Sequence, residues 1–349
     1  MKAAVWYAKK DIRVENVDEP VVEAGEVKIK VEWAGICGSD LHEYVAGPIT
    51  IPTEAPHPLT KGTAPVIMGH EFAGEVVEVG KNVTQVALGD RVTVEPMITC
   101  GKCKACRQGR YNLCEVIAAF GMSGVGGGFS EYTVVSEDMV HKIPEHMSYE
   151  LAALVEPTAV AMHAVKLSNL KVGDTVAVFG AGPIGLLTVQ ASFLAGAKKV
   201  FAIELSEERR KVATKLGAVA ISPAESDVAE EIMKQTAGDG ADISFEATGV
   251  PVVLEQAVNS TKMGGEIVIE SLWESKPELD ANSLVFKELN LIGSIGYRNI
   301  FPTVIDLIAD GKLEVSDLVT KKIALDNIVE EGFESLLQEK SQVKILIKP

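Results

Sequence analysis

Residues 175–197 carry no charged side chain, a run long enough to raise a membrane span. Gly180, Gly182, Pro183 and Gly185 interrupt it near its start, and Gln190 and Ser192 lie further along. A buried strand, a tight turn and a buried helix satisfy the pattern better than a spanning helix. The turn reads Gly180-Ala181-Gly182-Pro183-Ile184-Gly185. G-x-G-x-x-G is weak alone, but here it has a strand before it, a helix after it and an acid some 20 residues on. The first glycine permits the turn, the second lets the backbone approach a pyrophosphate, and the third lets helix and strand pack closely. The helix N-terminus then offers N–H groups and a positive dipole end to phosphate.

The surrounding chain repeats this unit. Strand-like runs fall at 175–179, 200–204, 242–245 and 265–269, and helix-like runs at 184–195, 207–216, 228–236 and 251–261. Such alternation predicts βαβ units in a doubly wound parallel sheet. Before residue 155 the character differs. Short apolar runs with β-branched residues, such as 27–31, 75–79 and 91–94, predict an all-β unit. After about residue 291 the pattern is mixed, and a strand-like run at 343–347 is placed to return to the first domain. The expected division is 1–154 with 291–349 for the β-rich domain and 155–290 for the parallel-sheet domain. The fold class is therefore α/β.

Glu204 closes the second strand of the alternating region. A carboxylate there accepts hydrogen bonds from the adenosine ribose hydroxyls and repels a 2′-phosphate, which favours NAD over NADP. Arg209 and Arg210 follow closely and keep NADP as the minor option.

Four of the five cysteines, Cys100, Cys103, Cys106 and Cys114, lie within 15 residues. Four thiolates so close can enclose one Zn²⁺ as a tetrahedron with no position left for water. Two disulfides are the alternative, but those suit small secreted domains. This chain has 349 residues, and its first residues, Met1-Lys2-Ala3-Ala4-Val5-Trp6, lack the apolar run of a signal peptide. Structural zinc and a cytoplasmic location are expected. Net charge is −16, from 33 basic and 49 acidic residues. With no basic stripe, nucleic acid is not an expected partner, nor is a membrane.

The fifth cysteine, Cys37, stands apart and suggests a second, catalytic zinc. Cys37 and His70 offer a soft and a borderline ligand. An open site needs a third protein ligand, and Glu71 or Glu156 can supply it. One carboxylate beside one thiolate makes the site neutral, so one glutamate is expected on the metal and the other behind it. His70 and Glu71 are neighbours, and on a strand their side chains would point to opposite faces, which favours Glu156. His57, His141, His146 and His163 lack comparable company.

The motifs Cys37-Gly38-Ser39-Asp40-Leu41-His42, Gly69-His70-Glu71, the cysteine loop and G-x-G-x-x-G together resemble the zinc-dependent medium-chain dehydrogenases along the whole chain. Further stretches at 57–60, 126–132, 155–157, 295–298 and 340–346 resemble the bacterial 2,3-butanediol dehydrogenase (acetoin reductase) branch. The resemblance implies a GroES-like β-rich catalytic domain joined to a Rossmann domain, with two zinc ions and NAD. It implies that Ser39 bonds the substrate oxygen and that His42 passes the proton onward. The family's usual third cysteine ligand is absent, since no cysteine follows Cys114, and the polyol and butanediol branches use a glutamate there. The implied reaction is oxidation of a vicinal diol to a hydroxyketone; a sorbitol- or threonine-type dehydrogenase is the alternative. A homodimer or homotetramer is the expected assembly.

Overall fold

The computed structural model describes residues 1–349. Two compact units divide the chain: Met1–Pro157 with Phe301–Gly311 and Val319–Pro349, and Thr158–Ile300 with Lys312–Leu318.

The first unit opens with a hairpin, β1 (Lys2–Ala8) and β2 (Asp11–Asn16). Next come β3 (Glu26–Gly35), helix α1 (Gly38–Ala46), β4 (Glu71–Val79), β5 (Arg91–Val94), β6 (Tyr132–Ser136) and β7 (Val140–Lys142). Helix α2 (Val155–Leu167) leads out of it.

The second unit contains β8 (Thr175–Phe179), α3 (Pro183–Leu194), β9 (Lys199–Ile203), α4 (Glu207–Lys215), β10 (Val219–Ile221), α5 (Val228–Gln235), β11 (Ala241–Glu246), α6 (Pro251–Ser260), β12 (Thr261–Ile269), α7 (Ala281–Lys287) and β13 (Asn290–Gly293). Its six strands run in the order β10-β9-β8-β11-β12-β13, and every pair is parallel. The boundary expected at 291 falls inside β13, which pairs with β12, so the second unit continues to Ile300.

The chain then returns to the first unit with β14 (Val319–Ala324) and β15 (Lys344–Lys348). Strand β15 pairs antiparallel with β3 and parallel with β14. The resulting sheet runs β7-β5-β4-β3-β15-β14, with β6 also on β3.

The uncharged run resolves as β8, turn and α3. All five residues of β8 are buried, as expected of a strand covered on both faces. Helix α3 starts with Pro183 at N1, where a missing N–H costs nothing. It buries eight consecutive residues, from Gly185 to Ser192, which explains its lack of a polar face. No helix is long and apolar enough to cross a membrane. Each unit has its own core: Trp6, Ile29, Phe72, Phe129 and Phe333 in the first, Phe179, Phe201, Ile232 and Leu254 in the second.

Candidate active site

Three neighbouring strands build one end of the first unit's sheet. Gly35, the last residue of β3, pairs with Glu71 at the start of β4 and with Leu346 of β15. Cys37 therefore leaves β3 where Glu71 and Lys344 arrive. Gly35 has no side chain for a reason: a Cβ there would strike Glu71 Oε2. The thiol, imidazole and carboxylate of Cys37, His70 and Glu71 each place a ligand atom within 4.8 Å of the others. His70 precedes the strand rather than lying on it, after Gly69 at φ +96°. This turn removes the strand alternation expected to separate His70 from Glu71.

Asp40 was not singled out by the sequence, yet it organises this cluster. It sits in the first turn of α1, fully buried. Its Oδ2 accepts the Cys37 N–H at 3.0 Å, half of a capping box. Its Oδ1 stands 3.3 Å from His70 Nδ1, close enough for attraction though angled off a hydrogen bond. A carboxylate behind an imidazole fixes the ring and leaves the other nitrogen for a metal. That other nitrogen, Nε2, is 3.3 Å from Ser39 Oγ. Burial pulls the His70 imidazole down, but the charges of Asp40 and Cys37 outweigh it and hold the ring well above 6.5. The pocket favours positive charge at this point, as a dication requires.

Lys344 falls within the stretch 340–346, and nothing in the sequence marks it out individually. Its ammonium is 2% exposed and donates to both Glu71 oxygens at 2.8 and 2.7 Å and to the Ile36 carbonyl at 3.0 Å. Burial pulls its pKa down, but Glu71 first, then Cys37 and Glu156, raise it above 10.5. Glu156 is buried in the first turn of α2; its charge reaches Lys344, but it lies outside the Cys37–His70–Glu71 cluster. His42 lies on α1, partly buried.

The four remaining cysteines gather in a separate loop with all four sulfurs within 4.8 Å. Cys100 Sγ and Cys106 Sγ are 4.0 Å apart. A tetrahedron with Zn–S bonds of about 2.3 Å has edges of about 3.8 Å, so the cage fits zinc. Backbone N–H groups point at the sulfurs, from Cys100 to Cys114 at 3.3 Å and from Cys103 to Cys100 at 3.3 Å. The N–H groups of Cys106 and Glu115 pull the Cys103 thiol down to about 6. None of the five cysteines is in a disulfide.

In the second unit, Gly180 adopts φ +98°, and a Cβ on Gly185 would strike the Gly180 carbonyl. A Cβ on Gly182 would meet only Arg209 Nη1, at 3.8 Å, so that guanidinium lies over the glycine loop. Pro183 and Ile184 begin α3. Glu204 accepts the N–H of Ala181 and of Ser206, each at 2.9 Å, which fixes its carboxylate beside the loop. A cavity of about 330 Å³ opens here, lined by Phe179, Gly180, Glu204, Leu205, Thr248 and Val250 among others. Arg210 is engaged elsewhere, donating to the carbonyls of Glu204 and Leu205 at 2.9 and 2.6 Å.

A metal-ligating cluster in a β-rich unit and a dinucleotide turn in a parallel-sheet unit define a metal-dependent oxidoreductase. Residues 23–145 match the alcohol dehydrogenase GroES-like domain and residues 183–310 the zinc-binding dehydrogenase domain. The chain belongs to the zinc-binding dehydrogenase family, whose chemistry uses zinc and a nicotinamide cofactor. It is 55% identical over 350 residues to (R,R)-butanediol dehydrogenase of Bacillus subtilis, covering all of both chains. The crystal structure of 2R,3R-butanediol dehydrogenase from Bacillus subtilis superposes with a TM-score of 0.95 at 55% identity, over 100% of this chain and 99% of that one. A zinc-binding dehydrogenase from Sinorhizobium meliloti, bound to NADP, superposes with a TM-score of 0.90 at 34% identity, over 100% and 99%.

Proposed function

We propose that this chain is an NAD-dependent, two-zinc dehydrogenase that interconverts (2R,3R)-2,3-butanediol and acetoin. The observation that carries the substrate is the 55% identity across the full length of both chains with an enzyme of that name. The first unit acts as the catalytic domain and the second as the cofactor domain.

Cys100, Cys103, Cys106 and Cys114 would hold the structural zinc. Cys37, His70 and one glutamate would hold the catalytic zinc. We assign that glutamate to Glu156, because Lys344 holds both oxygens of Glu71 and so weakens it as a donor; Glu71 is the alternate. When bound, the ion supplies Lewis acidity at the substrate oxygen.

The chain's own groups supply the rest. Ser39 Oγ takes the proton from the substrate hydroxyl in oxidation and returns it in reduction. His42 passes that proton toward solvent. Asp40 keeps the His70 ring oriented. The glycine loop and the start of α3 cradle the pyrophosphate, with Arg209 over them. Glu204 accepts the ribose hydroxyls and disfavours a 2′-phosphate, while Arg210 is already occupied. This supports NAD rather than NADP.

A homodimer is the proposed assembly. Strand β13 ends its sheet unpaired on one side, Leu291 on it is exposed, and Phe286 of α7 is 78% exposed. An open edge with apolar neighbours invites a second copy.

The test is one panel: (2R,3R)-, (2S,3S)- and meso-butanediol, acetoin, sorbitol and threonine, with NAD(H) and NADP(H). The highest kcat/KM is expected for (2R,3R)-butanediol with NAD. Preference for sorbitol or threonine moves the substrate, and preference for NADP moves the cofactor.

A further inference from the structure

Three exposed apolar side chains stand together in the second unit: Leu205 after β9, and Val250 and Val252 at the start of α6. They line the cavity of about 330 Å³ beside the glycine turn, together with Ile203, Pro223 and Val253. Exposed apolar residues gathered around one cavity suit a flat, apolar-faced occupant, and the adenine of a dinucleotide is one.

Apolar walls take the faces of any base. Bases are told apart by hydrogen bonds at their edges. Three polar side chains line this cavity: Glu204, Thr248 and Gln256. Two are committed. The Glu204 oxygens accept the N–H groups of Ala181 and Ser206, and their remaining lone pairs serve the ribose hydroxyls in the proposed function. The Thr248 hydroxyl donates to Glu246 and accepts the Val250 N–H at 3.1 Å. Gln256 differs. It is half-buried on α6, and its side-chain amide makes no hydrogen bond within the chain. A second cavity, of about 190 Å³, adjoins the first. Ser226, Asp227 and Asn259 line it, while Pro223 and Gln256 belong to both cavities. Gln256 therefore forms part of the partition between them, with an oxygen that accepts and an NH₂ group that donates.

We propose that Gln256 reads the purine edge of the cofactor: its amide oxygen accepts from the adenine 6-amino group, its amide nitrogen donates to the adjacent ring nitrogen, and its side chain shuts the second cavity to anything wider at that edge. The proposal rests on the nicotinamide-dinucleotide reading above. It is indifferent to the choice between NAD and NADP, whose adenines are the same. The same pairing of an amide with an adenine edge is how glutamine selects adenine in nucleic acids. Gln256 is thus a specificity-determining residue on the adenine side of the cofactor.

Calorimetric titration of the full, zinc-loaded chain with NAD⁺ and with its 1,N6-etheno analogue tests this. The two-carbon bridge of the analogue removes the amino donor and widens the edge. The wild type should bind NAD⁺ about tenfold more tightly than the analogue, the scale of one amide–adenine pair. Gln256→Ala removes the amide and joins the two cavities. Its NAD⁺ Kd should rise about fivefold to tenfold, while its Kd for the analogue holds or falls, so the preference disappears or inverts. Gln256→Glu keeps the acceptor and the partition but loses the donor. It should weaken NAD⁺ severalfold and still prefer NAD⁺ to the analogue, and it carries the test should Gln256→Ala fail to fold. A wild type that binds both nucleotides equally, an NAD⁺ Kd unmoved in Gln256→Ala, equal weakening of both nucleotides in that variant, or loss of the preference in Gln256→Glu overturns the inference. Failure of both NAD⁺ and NADP⁺ to bind the wild type overturns the cofactor reading itself, whereas binding without discrimination at the adenine overturns only this step.

Discussion

Replacing Lys344 with methionine should destabilise the first unit more than almost any other single polar change. The side chain is 2% exposed and its partner Glu71 is fully buried. Methionine keeps most of the volume but removes three hydrogen bonds, two to Glu71 and one to the Ile36 carbonyl. What remains is a buried carboxylate without its counter-charge. Breaking a buried pair from one side costs about 3–5 kcal/mol. For a cooperative unit of roughly 200 residues, each kcal/mol moves Tm by about 2–4 °C, so a fall of about 6–20 °C is expected. The pH dependence has a definite sign. The Lys344 pKa is raised in the fold, so its contribution is whole at neutral pH and is lost only as pH climbs above the lysine's ordinary 10.5. The gap between wild type and Lys344→Met should therefore be constant from neutrality to about pH 10 and close in stronger alkali. The double variant Lys344→Met/Glu71→Gln removes the stranded charge and should recover at least half of the lost Tm. Thermal unfolding by circular dichroism reads all of this. A Lys344→Met Tm within about 2 °C of wild type, or no recovery in the double variant, refutes the reasoning.

Other changes separate the remaining roles. Cys103→Ser opens the thiolate cage and should drop zinc by one equivalent and lower Tm, as measured by elemental analysis and calorimetry. Ser39→Ala removes the proposed first proton acceptor and should lower kcat by about 10²–10⁴-fold, whereas His42→Ala should lose less and recover in concentrated buffer; steady-state rates decide. His163 is 1% exposed with both ring nitrogens unpartnered, and burial, helped by Arg298 and Lys166, lowers it to about 4 from 6.5. Its neutral form is the native one, so its contribution is whole above pH 6.5 and is lost as pH falls to about 4, by about 3 kcal/mol in all; denaturant unfolding of His163→Phe should show a shallower acid limb.

The sequence exposed those parts of the protein that depend on local spacing. The glycine turn with Glu204 beside it and the cysteine cluster each depend on short spacings along the chain, so their assembly in the fold was legible in order. Periodicity placed β8 and the helices near their observed ends because a buried parallel strand and a buried helix are patterned differently. Groups that meet through pairing of distant strands stayed hidden. Lys344 joins Glu71 only because β15 returns beside β3, across 273 residues. Asp40 sat in plain view within a motif, but its service to both Cys37 and His70 needs the turn before β4. That same turn defeats the alternation argument that set His70 against Glu71. The hydrogen bond that Thr188 donates to Glu270 at 2.9 Å was equally hidden, since a threonine in an apolar helix and a glutamate after a strand are unremarkable until they face each other. The boundary expected at 291 missed because β13 is an edge strand, exposed at three of its four residues, and lacks the continuous apolar run of a central strand.

The central claim is that Cys37 holds an exchangeable catalytic zinc separate from the caged one. Zinc content and (2R,3R)-butanediol oxidation measured together on wild type and Cys37→Ser test it most directly. The account predicts two zinc ions per wild-type chain, one in the variant, an unchanged signature of the four-thiolate cage, and loss of turnover. A Cys37→Ser protein that retains two zinc ions and near-normal turnover would contradict it.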